Sequence, residues 1–310
     1  MPHSKPRILC FGGLHYDDMI RCEADTILNE SNPVSRTRTP GGVALNVART
    51  LTALGNTVGL SSRVGADREG VELLEYLTRL GITAVSIQTD NTHATARYTA
   101  VLDHTSNLIL GLADMGIYDD FKPAHWQHSR QEIKHWDYWC VDTNLPTDTL
   151  HYLASEKAAQ LLFAVVTSPA KAHRLREVLP TLDAIFVNRA EASILVNSNT
   201  AASQTIEEQA RALCDLGALR AIVTAGADGA AWACPDNFGH IDCPTINPQS
   251  VSGAGDVLAG TTMAALLSGE TLEQALTYGT CAATLSTLSD MNDPQLSWSM
   301  IKDNLVHNDA

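Results

Sequence analysis

The chain is poor in basic residues: 21 Lys and Arg stand against 35 Asp and Glu, a formal net charge of −14. Phosphate backbones and anionic bilayers are bound by clustered cations, so this balance argues against nucleic acid or membrane as a partner. No apolar run approaches the ~20 residues of a membrane span. The short apolar stretch Ile8–Phe11, behind Lys5 and Arg7, is too brief for a signal peptide. The seven cysteines include no Cys-x-x-Cys pair. That argues against a disulfide framework or zinc site and for reduced thiols in the cytoplasm. Internal repeats, low-complexity segments and linkers are lacking. So is any Gly-Lys-Ser/Thr triplet, which removes a Walker loop.

What is present is a large core in alternating pieces. A chain of 310 residues with 45% hydrophobic content is long enough to bury one. Ile8–Phe11, Thr57–Ser61, Tyr138–Val141, Leu161–Val166, Ala184–Val187 and Ala221–Thr224 are short, nearly continuous apolar runs. Parallel strands covered on both faces have this character. Between them the helical period predicts helices over Leu45–Leu54, Gly70–Leu80, Leu150–Glu156, Ala172–Val178, Arg189–Leu195 and Ile206–Leu216. The alternation predicts an α/β fold: a doubly wound, mostly parallel sheet with helices on both faces. Two stretches, 18–39 and 94–112, break the rhythm, and Arg97–Leu102 alternates like a half-exposed antiparallel strand. The expected organisation is one domain over 1–310, these two stretches standing apart from its rhythm.

Two glycine motifs carry the chemistry. Ser250-Val251-Ser252-Gly253-Ala254-Gly255-Asp256 opens an apolar helix, Val257–Leu267. Free amides and the positive end of the helix dipole make such a turn an anion site. A carboxylate beside a bound phosphate is repulsive unless it holds a metal or takes a proton from an attacking hydroxyl. A dinucleotide fingerprint would need Gly at position 258, which is Leu. Taken alone, the stretch reads equally well as a plain turn with a helix-terminal Asp. The second motif, Pro40-Gly41-Gly42-Val43-Ala44-Leu45-Asn46, places an Asn about one turn inside a helix. That Asn can present an amide to a polar ligand or merely help to cap.

With both motifs in this order, the chain resembles the ribokinase-like (PfkB) family of carbohydrate and nucleoside kinases over nearly its whole length. The likeness includes Gly12-Gly13-Leu14-His15-Tyr16-Asp17, Asn188-Arg189-Ala190-Glu191 and Thr224-Ala225-Gly226-Ala227-Asp228-Gly229. It implies an ATP-dependent kinase whose small β-sheet lid, from the 18–39 and 94–112 stretches, covers the acceptor. Asp256 would be the general base, with the amides of Gly253, Ala254 and Gly255 at the transferred phosphoryl group. Asp17, Asn46 and the backbone at Gly41 and Gly42 would hold acceptor hydroxyls; His15 departs from the family's usual Asn. Asn188, Thr224, Gly226 and Gly229 would hold ATP, and Lys171 would either reach a phosphate or be a solvated surface Lys. Glu191 and Asn188 would organise magnesium, largely through water, although Glu191 also reads as a first-turn helix residue. A monovalent cation and a homodimer through the lid are compatible with the resemblance. Val43 stands where ribokinases carry Lys, and Val165 where an Asp is usual. Ser31-Asn32-Pro33, Asp114-Met115, Asp142-Thr143-Asn144 and Ser250-Val251 are similar to segments of the pseudouridine kinases. The implied acceptor is therefore a nucleoside, with Ser31, Asn32, Tyr98, Asp114 and Asn144 toward its base. A free sugar or sugar acid, and a binding regulator without catalysis, are the alternatives. His125, His128 and His135, beside Trp126 and Trp136, read as surface and packing rather than a metal site.

Overall fold

The computed structural model describes residues 6–196, 204–244, 246, 250–288 and 296–308; Lys5 lies outside them. Its strands are β1 (Arg7–Phe11), β2 (His15–Cys22), β3 (Val34–Gly41), β4 (Thr57–Ser61), β5 (Arg63–Gly65), β6 (Thr83–Ala84), β7 (Gln88–Asp90) and β8 (Arg97–Leu102). They continue with β9 (Leu108–Asp114), β10 (Tyr138–Asp142), β11 (Leu161–Val165), β12 (Ala184–Asn188), β13 (Ala221–Thr224), β14 (Ala230–Cys234) and β15 (Asn237–Ile241). Nine of these form the main sheet, in the order β15-β14-β13-β12-β11-β10-β1-β4-β6. From β13 to β6 every pairing is parallel. Both β14 and β15 are antiparallel additions at one edge. The alternation reading missed them because no α-helix, only the 3₁₀ turn Gly226–Asp228, intervenes between β13 and β15.

The continuous apolar strands follow from cover on both faces. Ile8 and Cys10 of β1 pack into one core, against Leu45 and Leu51 of the helix Val43–Ala53 and Met263 of the helix Ala254–Leu267. Leu9 and Phe11 point the other way, against Trp126, Trp139 and Leu150. Phe11 meets both tryptophans edge-on, and Trp126 Nε1 donates to Ser61 Oγ at 2.8 Å. Trp126 and Trp136 are thus core residues, while His128 and His135 are exposed and His125 is half-buried. Among the described residues no group of three or more His, Cys, Asp or Glu is placed to hold a metal. Also among them, no helix is long and apolar enough to cross a membrane, and all seven cysteines are free thiols.

Several helices start earlier than periodicity predicts, because residues before the first apolar position complete the first turn, whereas Arg189–Val196 and Ile206–Asp215 start where expected. Asp67 caps Arg68–Leu80 by accepting from the Gly70 amide, and Thr147–Glu156 begins directly after Pro146. The predicted helix Ala172–Val178 is instead a short helix, Pro169–Ala172, followed by a single 3₁₀ turn. Proline at a first helical position sets the early start.

Four strands form a separate sheet in the order β3-β2-β8-β9, the lid. Its strand β8 pairs parallel with β2 and antiparallel with β9, so the antiparallel reading holds for one of its two edges. Alternation along β2 sends Asp17 to one face and Asp18 to the other. Asp18 is buried between Arg36, Arg38 and Arg97. Arg38 and Arg97 also reach Glu69 on the helix Arg68–Leu80, fastening lid to body.

Candidate active site

In doubly wound sheets the crevice lies beyond the carboxyl ends of the strands, where connections diverge to either side. Here the divergence falls between β1 and β10. Asp142, the last residue of β10, is buried there. Its Oδ2 accepts from the amides of Gly13 (2.8 Å) and Ala44 (3.0 Å), and Oδ1 accepts from that of Asn144 (2.8 Å). One carboxylate therefore joins the turn after β1, the start of the helix Val43–Ala53 and the turn after β10. Burial raises its pKa and those amide bonds oppose the rise. Sequence reasoning missed this anchor; the Asp142-Thr143-Asn144 stretch was its available signal.

Above Asp142 lies a cavity of about 560 Å³ between the sheet and the lid. Its lining includes Asp17, Gly42, Asn46, Tyr98, Asn144, Lys171, Asn188, Glu191, Thr224, Gly253, Gly255 and Asp256. A second cavity of about 350 Å³ holds Gly226, Gly229 and Ala254 in its wall. Thr224, Gly255 and Leu258 border both, so the two are adjacent. The second wall also includes Thr280 and Thr284, one turn apart on the helix Leu272–Thr287, which sequence reasoning did not single out.

On the lid side, Asp17 and Tyr98 are cross-strand partners in register, which brings both to one face. Gly41 pairs with His15 and packs under Asp17: a Cβ there would come within 2.0 Å of Asp17 Oδ2. The glycine is thus required by the carboxylate's close approach, although Gly41 itself lines neither cavity. His15 is buried, with Nε2 3.4 Å from Asp17 Oδ1 and Nδ1 3.4 Å from the Tyr118 hydroxyl. It forms part of the cavity wall.

Three substrate-side expectations lie elsewhere. Ser31 and Asn32 are on an exposed loop outside the cavity, and the Asn32 side chain bonds the Ile27 amide and the Ile27 and Glu30 carbonyls. Asp114 is exposed at the end of β9, while its neighbours Ala113 and Met115 line the cavity. The reason is the strand period, which turns alternate residues to opposite faces. Lys171 is not a solvated surface lysine: its Nζ donates to Asn144 Oδ1 at 2.7 Å inside the cavity. Burial lowers its pKa, and Asp142 offsets part of that.

At the far wall, Asn188 and Glu191 cap the helix Arg189–Val196 reciprocally. The Asn188 amide donates to Glu191 Oε2 (2.8 Å) and the Glu191 amide to Asn188 Oδ1 (2.9 Å). Burial still pushes the Glu191 carboxyl up to about 7. Among the described residues no cation pairs with Glu191, and a buried carboxylate is stabilised by a nearby cation, so this pair fits a divalent ion held largely by phosphate and water.

On the floor, the turn before the helix Ala254–Leu267 requires Gly253 in the left-handed region, at φ 76°. The Ala254 amide donates to the Val251 carbonyl at 3.3 Å, which leaves Gly253 and Gly255 as the amides at the turn. Asp256 sits in the first helical turn. Burial, with Asp142 and Asp17 nearby, raises its pKa to about 7, against a hydrogen bond from Asn46. A carboxyl that titrates near neutral pH in a polar cavity is a proton acceptor in waiting.

A lid over the carboxyl ends of a doubly wound sheet, with such a carboxylate at a glycine-bounded helix start, defines a ribokinase-like kinase. The chain belongs to the pfkB family of carbohydrate kinases, whose family model matches residues 5–293. The pseudouridine kinase of Escherichia coli is 24% identical over 270 residues, 86% of each chain. The ribokinase of Bacillus subtilis is 25% identical over 251 residues, 81% of this chain and 82% of the other. Among solved structures, a carbohydrate kinase from Agrobacterium tumefaciens superposes with a TM-score of 0.85 at 32% identity, covering 97% of both chains.

Proposed function

We propose that the protein transfers the γ-phosphoryl group of ATP to the 5′-hydroxyl of a nucleoside, pseudouridine above others. The observation that carries the reading is the adjacency of the two cavities across Gly255, with Asp256 on the acceptor side. The mostly apolar second cavity suits a purine, with the phosphate chain running over the Gly253–Gly255 turn. Asp256 takes the proton of the attacking hydroxyl, and the Gly253 and Gly255 amides hold the charge that develops on the transferred group. Asp17 accepts from the ribose hydroxyls, a geometry-selective carboxylate contact. Magnesium, when bound, neutralises phosphate charge, and Asn188 and Glu191 are the residues that would position it.

A nucleoside rather than a free sugar is favoured by the cavity's extent past Asp17 to Tyr98, Ala113 and Met115, and by the likeness to pseudouridine kinases. Since Ser31, Asn32 and Asp114 stand outside that cavity, base recognition falls to His15, Tyr98 and Met115. In an ADP-release assay pseudouridine should exceed uridine in kcat/KM by ~10-fold or more, the worth of one hydrogen bond to its extra imide N–H. Free ribose should be a poor acceptor. Efficient turnover of ribose or fructose with none of pseudouridine would sink the nucleoside reading and leave a sugar kinase. Nucleoside binding without ATP consumption would instead leave a regulator.

The metal assignment has its own test. Activity should vanish with a chelator and return with magnesium, and Glu191→Gln should raise the magnesium concentration needed for half-maximal rate. The variant should stay folded, since Gln still offers a side-chain oxygen to the Asn188 amide. An unchanged magnesium curve would reduce Glu191 to a helix cap.

A further inference from the structure

The helices Val43–Ala53 and Ala254–Leu267 cross closely beneath the larger cavity. Gly260 makes the approach possible, since a Cβ there would lie 2.8 Å from Thr50 Cβ and 3.2 Å from the Val47 carbonyl oxygen. One turn nearer the cavity the contact becomes polar: Asn46 Nδ2 donates to Asp256 Oδ2 at 2.8 Å, joining positions 210 apart. Both helices pack into one hydrophobic core, so the pair is held by the packing of their backbones.

The charged and titratable groups around Asp256 lie on three elements. Asp17 faces it from β2, and Asp142 with the Cys140 thiol from β10. Arg49 faces it from within the helix that carries Asn46. Two carboxylates oppose its ionisation and one guanidinium favours it. Among the described residues, Asn46 is the side chain hydrogen-bonded to it. An N–H donor stabilises the charged form of a carboxylate at a fixed oxygen, which a diffuse charge does not do.

We propose that Asn46 is a positioning residue for the base: it holds Oδ2 of Asp256, turns Oδ1 to the acceptor hydroxyl, and keeps the carboxylate charged between its like-charged neighbours. This rests on the reading of Asp256 as base. As the acceptor oxygen bonds to phosphorus and the bond to the ADP leaving group breaks, the hydroxyl proton passes to Oδ1. Before transfer the Asn46 amide stabilises the carboxylate charge at Oδ2, and its hydrogen bond weakens as the acid forms. The role differs from that of a sugar contact, which would act on acceptor binding.

The test combines direct titration of Asp256 by carboxyl ¹³C NMR, assigned by signal loss in Asp256→Asn, with the pH profile of kcat/KM for pseudouridine. In Asn46→Ala the Asp256 titration and the acid limb of the profile should both move up by about one pH unit, roughly tenfold in the ionised fraction on the acid side. The fall should appear in kcat, with acceptor KM little changed. In Asn46→Asp, which keeps the side chain's shape, a further like charge should move both higher still. A raised KM with the Asp256 titration unmoved in both variants would overturn the proposal and make Asn46 a substrate contact. If the unaltered protein phosphorylates none of the acceptors, the proposed function fails while the NMR titration still decides the role of Asn46.

Discussion

Asp256→Asn should lower turnover by ~10²-fold or more while leaving ATP and nucleoside binding nearly intact, the usual range for a lost general base. The substitution is almost isosteric and keeps an oxygen for the Asn46 amide. The same change should raise thermal stability at neutral pH. The carboxyl titrates near 3.8 when unperturbed and near 7 in the fold. Between those values the folded protein holds a proton that the unfolded chain has released, so stability falls as pH rises through that window. Asn removes that loss. Melting curves of the two proteins should coincide near pH 4 and separate by pH 7, with the variant higher. Site and stability are then opposed at one residue, as expected where a charge is kept in a walled cavity for use. A rate loss below about tenfold would show Asp256 to be a helix-terminal charge and no base.

Asp142→Ala should destabilise the protein by at least about 3 kcal/mol, because three buried amides lose their acceptor at once and each costs about 1–3 kcal/mol unpaired. For a chain of 310 residues that corresponds to a fall in Tm of roughly 5 °C or more. Asp142→Asn should recover much of the loss. It retains a side-chain oxygen and avoids burying the charge, whose cost is evident in the raised pKa. The Ala variant should also raise acceptor KM, since the freed segments carry Gly42 and Asn46 on one side and Asn144 on the other. Chemical denaturation of the three proteins measures the first effect and steady-state kinetics the second. An Ala variant within about 1 kcal/mol of the unaltered protein would mean that water takes over the orphaned amides.

Much of this molecule is legible along the chain, because the relevant physics is local. Apolar runs flanked by helical periods marked the six inner strands β1, β4, β10, β11, β12 and β13, since a strand covered on both faces has no polar side to show. The Gly253–Asp256 turn was legible because a left-handed glycine, free amides and a first-turn carboxylate lie within four positions. The family likeness added the order of the motifs. The edge strands β14 and β15 were not legible, since a tight antiparallel return leaves no α-helix to mark it.

Contacts between distant segments were the larger gap. The family likeness implied that Asn46 would contact the acceptor, and nothing along the chain indicated that its amide would meet Asp256. It also could not show that Asp142 would gather amides from three segments. For the lid, the alternation along Arg97–Leu102 suggested a half-exposed strand, but only the register of β2, β8 and β9 decided which residues face inward. A shift of one position exchanges the two faces of a strand, which is why Asp17 and Tyr98 line the cavity while Asp18 is buried behind them and Asp114 stands outside. The neutral-range titration of Asp256 and Glu191 likewise belongs to the tertiary structure alone. Desolvation and the approach of Asp17 and Asp142 exist only once the sheet, its helices and the lid have closed around one cavity. The sequence by itself determined the elements and the chemical kinds of the candidate groups, and the packing decided their partners, their exposure and their charge.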